Sequence, residues 1–226
     1  MRIEIWSDVI CPFCYIGKTQ LETALAQLGA EATIEHKAYR LMPGDPVAPV
    51  QEMFARRYGQ SPQQAEASLR NVEAMAAQSG LDFHLSKTKT GDTTDAHKLL
   101  LLAGDKGVQD DLLTGLYRAY FTDGRDIFDR NVLLAIAAEA GLDAGEAQKN
   151  LDSAEMRARV ETDQHTAQTI GVRGVPFVVI DRKLAVSGAQ GVPNFVQALQ
   201  AAIAQSPQPE ASGPEASDVC GIDGQC

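Results

Sequence analysis

The chain opens Arg2-Ile3-Glu4-Ile5-Trp6-Ser7-Asp8-Val9-Ile10-Cys11-Pro12-Phe13-Cys14, and the reading of this stretch decides the fold. Arg2 to Trp6 alternates apolar with polar and aromatic residues, which predicts a strand, and Pro12 marks the start of a helix. Leu21, Leu25 and Leu28 recur at helical spacing until Gly29 supplies a stop. Two cysteines thus stand where a buried strand hands over to a helix. At a helix's first turn, unpaired N–H groups and the helix dipole stabilise an anion, here a Cys11 thiolate. Cys14 lies one turn further in on the same face. The expectation is an exposed, nucleophilic sulfur at Cys11 and a less accessible resolving sulfur at Cys14. That asymmetry is what thiol–disulfide exchange requires.

At 226 residues the chain can bury the core of one large domain, or of one domain carrying an insertion. Hydrophobic residues make up 44% and charged residues 22%, ordinary values for a globular protein. The 30 acidic and 20 basic residues leave a formal charge of −10, a surface that repels nucleic acid and anionic membranes, so neither partner is expected. No apolar run approaches a membrane span. The residues before the first strand do not read as a secretion signal, so the cytoplasm is the expected location. Close cysteine pairs in that reducing compartment are more often catalytic or metal-binding than structural. A zinc site would need two further ligands at matching spacing, and the other two cysteines, Cys220 and Cys226, stand at the far end of the chain. No metal and no cofactor are expected.

Beyond the first helix, Ala32 to Tyr39 reads as a second strand, completing a βαβ unit, and Met42 to Pro49 as a proline-rich crossover. From Val50 to Gly171 the pattern is helical. Segments are predicted over Gln51–Tyr58, from Ser61-Pro62 onward, over Asp95–Gly104 and Gln109–Phe121, from Asn131 to Ala140 behind an Asp129 cap, and from Ser153 to Ile170. Gly174 to Ile180 and Leu184 to Ser187 are predicted strands, and Pro193 to Ala204 a closing helix. This order is that of an α/β thioredoxin-like fold with an all-helical insertion. The expected division is a discontinuous domain over 1–49 and 165–205, an insertion over 50–164, and a flexible tail over 206–226, rich in Pro, Ser, Ala, Glu and Gly.

Three blocks make the reading more specific. Ser7 to Gly17, Asp95-Ala96-His97-Lys98-Leu99 and Gly171-Val172-Arg173-Gly174-Val175-Pro176-Phe177 resemble the signature blocks of the DsbA-like oxidoreductases, most closely the FrnE-like branch, over roughly residues 1–204. The resemblance implies a cytoplasmic dithiol–disulfide oxidoreductase or isomerase acting on protein thiols and disulfides, with Cys11 and Cys14 as its redox pair. It puts Pro176 at the position that is cis throughout thioredoxin-like proteins, exposing the Val175 backbone to an extended substrate. It also puts His97 near the dithiol, where an imidazole can pair with a thiolate or shuttle a proton; a packed core histidine is the plainer reading. Phe13, Tyr15 and Phe177 are candidates for an apolar rim, though aromatics are as often core. Trp6 and Asp8 read as a strand end and a turn cap.

Related families bind glutathione and carry serine at the key position, so a glutathione-dependent isomerase or transferase is the alternative. Two cysteines here favour redox chemistry, with glutathione as a candidate redox partner. A holdase-like binding module with incidental thiols is a third reading. Cys220 and Cys226 are a candidate second redox pair, spaced more widely than the closer pair of FrnE-like tails; the competing reading is an inert tail. The sequence carries no signal for an oligomeric state.

Overall fold

The computed structural model describes residues 1–205. Its central sheet has four strands in the order β2-β1-β5-β6: β1 (Arg2–Ser7), β2 (Thr33–Ala38), β5 (Phe177–Ile180) and β6 (Leu184–Ser187). β1 runs parallel to β2, Ile3 beside Ile34 and Ile5 beside His36. β5 and β6 continue antiparallel, Ile5 facing Val178. Between β1 and β2 the chain makes α1 (Pro12–Leu28), which ends at Gly29 in the left-handed conformation at φ +57°. Helix α9 (Val192–Ala204) packs beside α1, and Ile3, Ile5, Leu21, Phe195 and Leu199 form one core there. The opposite face of β1 is covered as well, Trp6 packing on Ala167 and Val172. This central strand is therefore buried on both faces, as the sequence reading expects of it.

The helical segment contains α2 (Val50–Tyr58), α3 (Pro62–Gln78), α4 (Thr94–Lys106), α5 (Gln109–Phe121), α6 (Arg130–Glu139), α7 (Ala144–Asp152) and α8 (Ala154–Thr169). Local chemistry sets several starts. Ser61 and Gln64 exchange reciprocal capping bonds ahead of α3, and Asp129, Asp143 and Ser153 accept from backbone N–H groups at the starts of α6, α7 and α8. The structure departs from the sequence reading in four places. Helix α7 falls between the segments assigned within the helical run. A ribbon of β3 (Ala48–Pro49) against β4 (Lys89–Thr90) interrupts the helical run. β5 begins at Phe177 rather than Gly174, because Pro176 has no N–H to give a ladder. The boundary drawn between 164 and 165 falls inside the continuous α8.

β2 is an edge strand, and the helices satisfy its outward backbone with side chains. Gln109, at the start of α5, accepts from His36 N–H at 2.9 Å and donates to His36 C=O at 2.9 Å. From α8, Asp163 accepts from Ala38 N–H at 3.0 Å and Gln164 from Arg40 N–H at 2.7 Å. These side chains stand in for a missing neighbouring strand and dock the helices on the sheet. Next to them Asp110 binds Lys18 at 3.0 Å and His36 at 3.3 Å. The hydrogen bond from His36, with help from Lys18, holds the Asp110 carboxyl at about 2 against its partial burial.

Replacing Gln109 with Ala strands two backbone groups of His36, a residue only 5% exposed. Each buried orphan costs about 1–3 kcal/mol, so Gln109→Ala should lower unfolding stability by roughly 2–6 kcal/mol in urea titration. A loss below about 0.5 kcal/mol would mean the edge is not held by this amide.

Candidate active site

Cys11 is the N-cap of α1, in extended conformation, and Pro12 occupies the first helical position. The Cys11 N–H donates to Asp8 C=O at 3.1 Å and the Cys14 N–H to Cys11 C=O at 3.0 Å, which fixes the turn carrying both thiols. Both cysteines are free. The expected exposure of Cys11 is not observed: Cys11 is 4% and Cys14 2% exposed. Cys11 is covered because the loop before β5 folds over it, and its Sγ donates to the Val175 carbonyl at 3.6 Å. The two sulfurs differ in their outlook rather than in their area. Cys11 borders a groove of about 480 Å³, whereas Cys14 lies beneath it. Burial, reinforced by the hydrogen bond and charge of Cys11, pushes the Cys14 thiol well above an ordinary one.

The Val175–Pro176 peptide is cis. Val175 and Gly174 line the groove, and Pro176 is buried against α1. That contact requires glycine at position 17, since a Cβ there would stand 2.9 Å from Pro176 Cγ. Phe13 is 37% exposed and forms part of the rim. The other two aromatics do not. Tyr15 turns into the core, stacked on Tyr117 with centroids 4.8 Å apart, and Phe177 packs beside Trp6.

His97 is corrected as a substrate contact. It is 2% exposed on α4 and does not line the groove; its Nε2 lies 3.4 Å from Oδ1 of the fully buried Asp8. Asp8 itself accepts from the Leu41 N–H at 2.7 Å through Oδ2. The plainer reading of His97, a core histidine, is the one seen; Asp8 is not the turn cap expected, since its carboxylate binds the segment after β2 and only its backbone C=O holds the turn. Sequence reasoning missed the groove's far wall, built by Leu41, Met42, Val50, Met53, Phe54 and Tyr58. A signal was present: positions 50, 53, 54 and 58 share one face of a short helix, and Tyr58 remains 62% exposed. Cys220 and Cys226, the candidate second pair, lie outside the described residues, as does the whole tail call over 206–226. Among the described residues, no cluster of metal-ligating side chains occurs and no helix is long and apolar enough to cross a membrane.

A βαβ–helices–ββα chain with a dithiol at the start of its first helix and a cis-proline loop facing it defines a thioredoxin-fold oxidoreductase. The model of the DSBA-like thioredoxin domain matches residues 2–200, and the chain belongs to that family of thiol–disulfide oxidoreductases and isomerases. A crystal structure of a probable DsbA oxidoreductase from Streptomyces coelicolor superposes with a TM-score of 0.87 at 39% identity, over 99% of this chain and 97% of that one. The cytosolic disulfide reductase DsbM from Pseudomonas aeruginosa, solved with GSH, has a TM-score of 0.65 at 18% identity, over 90% and 100% of the two chains. A 2-hydroxychromene-2-carboxylate isomerase also shares the fold, with a TM-score of 0.65 at 15% identity, over 90% and 95%.

Two outcomes follow from this geometry. At pH 7 a small alkylating agent should label Cys11 at least about tenfold faster than Cys14, and Cys14 should stay unreactive to pH 9, because a raised pKa keeps it a thiol there. Equal rates at the two sulfurs, read by peptide mass spectrometry, would remove the asymmetry. Gly17→Ala should push Pro176 off α1 and cost about 1–3 kcal/mol in thermal unfolding, as overpacking does.

Proposed function

We propose that the protein exchanges dithiols and disulfides in polypeptide substrates, with Cys11 as nucleophile, Cys14 as resolving thiol, and Phe13 and Val175 as the substrate-binding edge, Pro176 backing that edge against α1 rather than touching substrate. The observation that carries this reading is the setting of Cys11. Its sulfur opens on a groove of about 480 Å³ in which Arg57 is the only charged lining residue among the described residues, and the Val175 backbone stands beside it. In the reductive direction the Cys11 thiolate attacks a substrate disulfide and expels one substrate thiolate. Cys14 then attacks Cys11, the Cys11–substrate bond breaks, and the Cys14 proton passes to the second departing thiolate. Two electrons move to the substrate and the Cys11–Cys14 disulfide is left. Two equivalents of a low-molecular-weight thiol such as glutathione would restore the dithiol by the reverse sequence and leave as their disulfide. The high Cys14 pKa suits this order, since the resolving thiol keeps its proton until a mixed disulfide forms.

A reducing, cytoplasmic setting is part of the proposal, in line with the cytosolic DsbM. That structure's GSH also supports a second reading, in which glutathione itself is the thiol substrate. The two are separated by comparing kcat/KM for a peptide disulfide with that for glutathione disulfide.

Replacing Cys14 with Ser should accumulate a covalent Cys11–substrate disulfide and lower turnover by two or more orders of magnitude; Cys11→Ser should form no adduct. Adduct formation through Cys14 in the Cys11→Ser protein, at the wild-type rate, would refute the assignment of roles.

A further inference from the structure

A single charge stands in the apolar groove beside Cys11. Helix α2 turns Val50, Met53, Phe54 and Tyr58 towards the groove, and Arg57, one turn beyond Met53, lines it with them. Arg56, its neighbour in the last turn of α2, is exposed and does not line the groove. A basic residue in that turn suits the helix dipole, and Arg56 alone would meet that need. The Arg57 side chain remains 45% exposed, and its one ion pair is loose. Nη2 stands 3.4 Å from Oδ2 of Asp45, a residue outside the groove, where a charge-assisted hydrogen bond is about 2.7–2.9 Å long. Nε and Nη1 have no partner among the described residues. A guanidinium with an open fork can take a carboxylate in two parallel N–H···O bonds.

We propose that Arg57 is a specificity-determining residue, selecting polypeptide substrates that carry an aspartate or glutamate a few residues from the reacting cysteine. This role rests on the polypeptide reading of the active site. Charge complementarity selects the occupant. The chain as a whole carries a formal charge of −10, so its general field turns acidic substrates away, and only a contact at close range reverses that preference. The groove supplies such a contact. Its apolar walls exclude water and strengthen a pair formed against them, while Asp45 steadies the guanidinium without filling its fork. A substrate lysine or arginine meets Arg57 as a like charge, and no carboxylate lines the groove to answer it.

The test mixes the reduced full chain with neutral peptides whose single cysteine is held in a mixed disulfide with a chromophoric aryl thiol. The Cys11 thiolate attacks the peptide sulfur and expels the aryl thiolate, which is read by absorbance. Cys14 then attacks Cys11, releasing the peptide as its thiol and leaving the Cys11–Cys14 disulfide. Glu, Gln or Lys is placed in turn at each position within three residues of the peptide cysteine, and second-order rate constants are compared. The expected Glu-to-Gln rate ratio is about three to ten at one or two positions and at or below one elsewhere, because a fixed guanidinium reaches only part of an extended chain rising about 3.3 Å per residue. Arg57→Gln should bring that ratio to one or below, and Arg57→Glu should transfer the gain to Lys. Arg56→Gln, which removes the same charge from the exposed side of the helix, should keep the wild-type ratio. Each ratio is taken within one protein, so a general loss of fold or reactivity cancels. The inference is overturned if the wild-type ratio is flat across all positions, or if Arg57→Gln leaves it unchanged. An effect of Arg57→Gln on a glutathione–aryl disulfide alone also overturns it, since glutathione's own carboxylates would then be the ligand. Failure of every peptide to react with Cys11 would instead refute the functional reading itself.

Discussion

The exposed edge of β2 is the constraint on which the architecture rests. A parallel edge strand leaves a row of N–H and C=O groups without partners, and such groups must be paired or covered. Gln109 meets both groups of His36, while Asp163 and Gln164 meet the N–H groups of Ala38 and Arg40. These bonds anchor α5 and α8 to the sheet, and the rest of the helical segment packs on them as a single core. That core carries α2 and α3 to a position above the start of α1. The apolar wall facing Cys11 is therefore a consequence of how the sheet edge is closed, some distance away in the fold.

The dithiol is more deeply enclosed than its place at a helix start suggests. Enclosure raises the cost of any unpaired charge, and the two sulfurs respond differently because only one borders open space. Below them lies a polar layer in the core: Asp8, His97 and the Tyr117 hydroxyl, all buried. Burial first, and the charges of Cys14 and Cys11 after it, push the Tyr117 phenol well above its usual range, so it remains neutral at any working pH. The aromatic stack of Tyr15, Tyr117, Phe83 and Phe121 seals this layer from the groove's opposite end. Of the two sulfurs, only that of Cys11 borders the groove.

Much of the fold was legible because its signals are local. Cys11-Pro12 at a helix start, Ser61-Pro62 with its capping Gln64, the Asp129 cap and the stop at Gly29 each involve residues a few positions apart. Helix α7 was not read as a separate segment, since its buried positions Ala147, Asn150 and Leu151, though at helical spacing, span little more than one turn and include a single large apolar side chain. Two-residue strands such as β3 and β4 carry too little pattern to be read. Of the candidate site, Cys11, Cys14, Val175, Pro176 and Phe13 do come together, whereas His97 sits beneath them and Tyr15 and Phe177 turn away.

The difference has a physical origin. Backbone turns, caps and hydrophobic period depend on energies between near neighbours, and these determine that a dithiol begins a helix and that a proline-bearing loop precedes a strand. Burial depends on residues far apart in the chain. Cys11 is covered by Val175, 164 positions away, and Gly17 is needed because Pro176 crosses α1 there. No local pattern encodes those approaches. Which sulfur meets the groove emerges only when the sheet, the helical segment and the last helix are packed together.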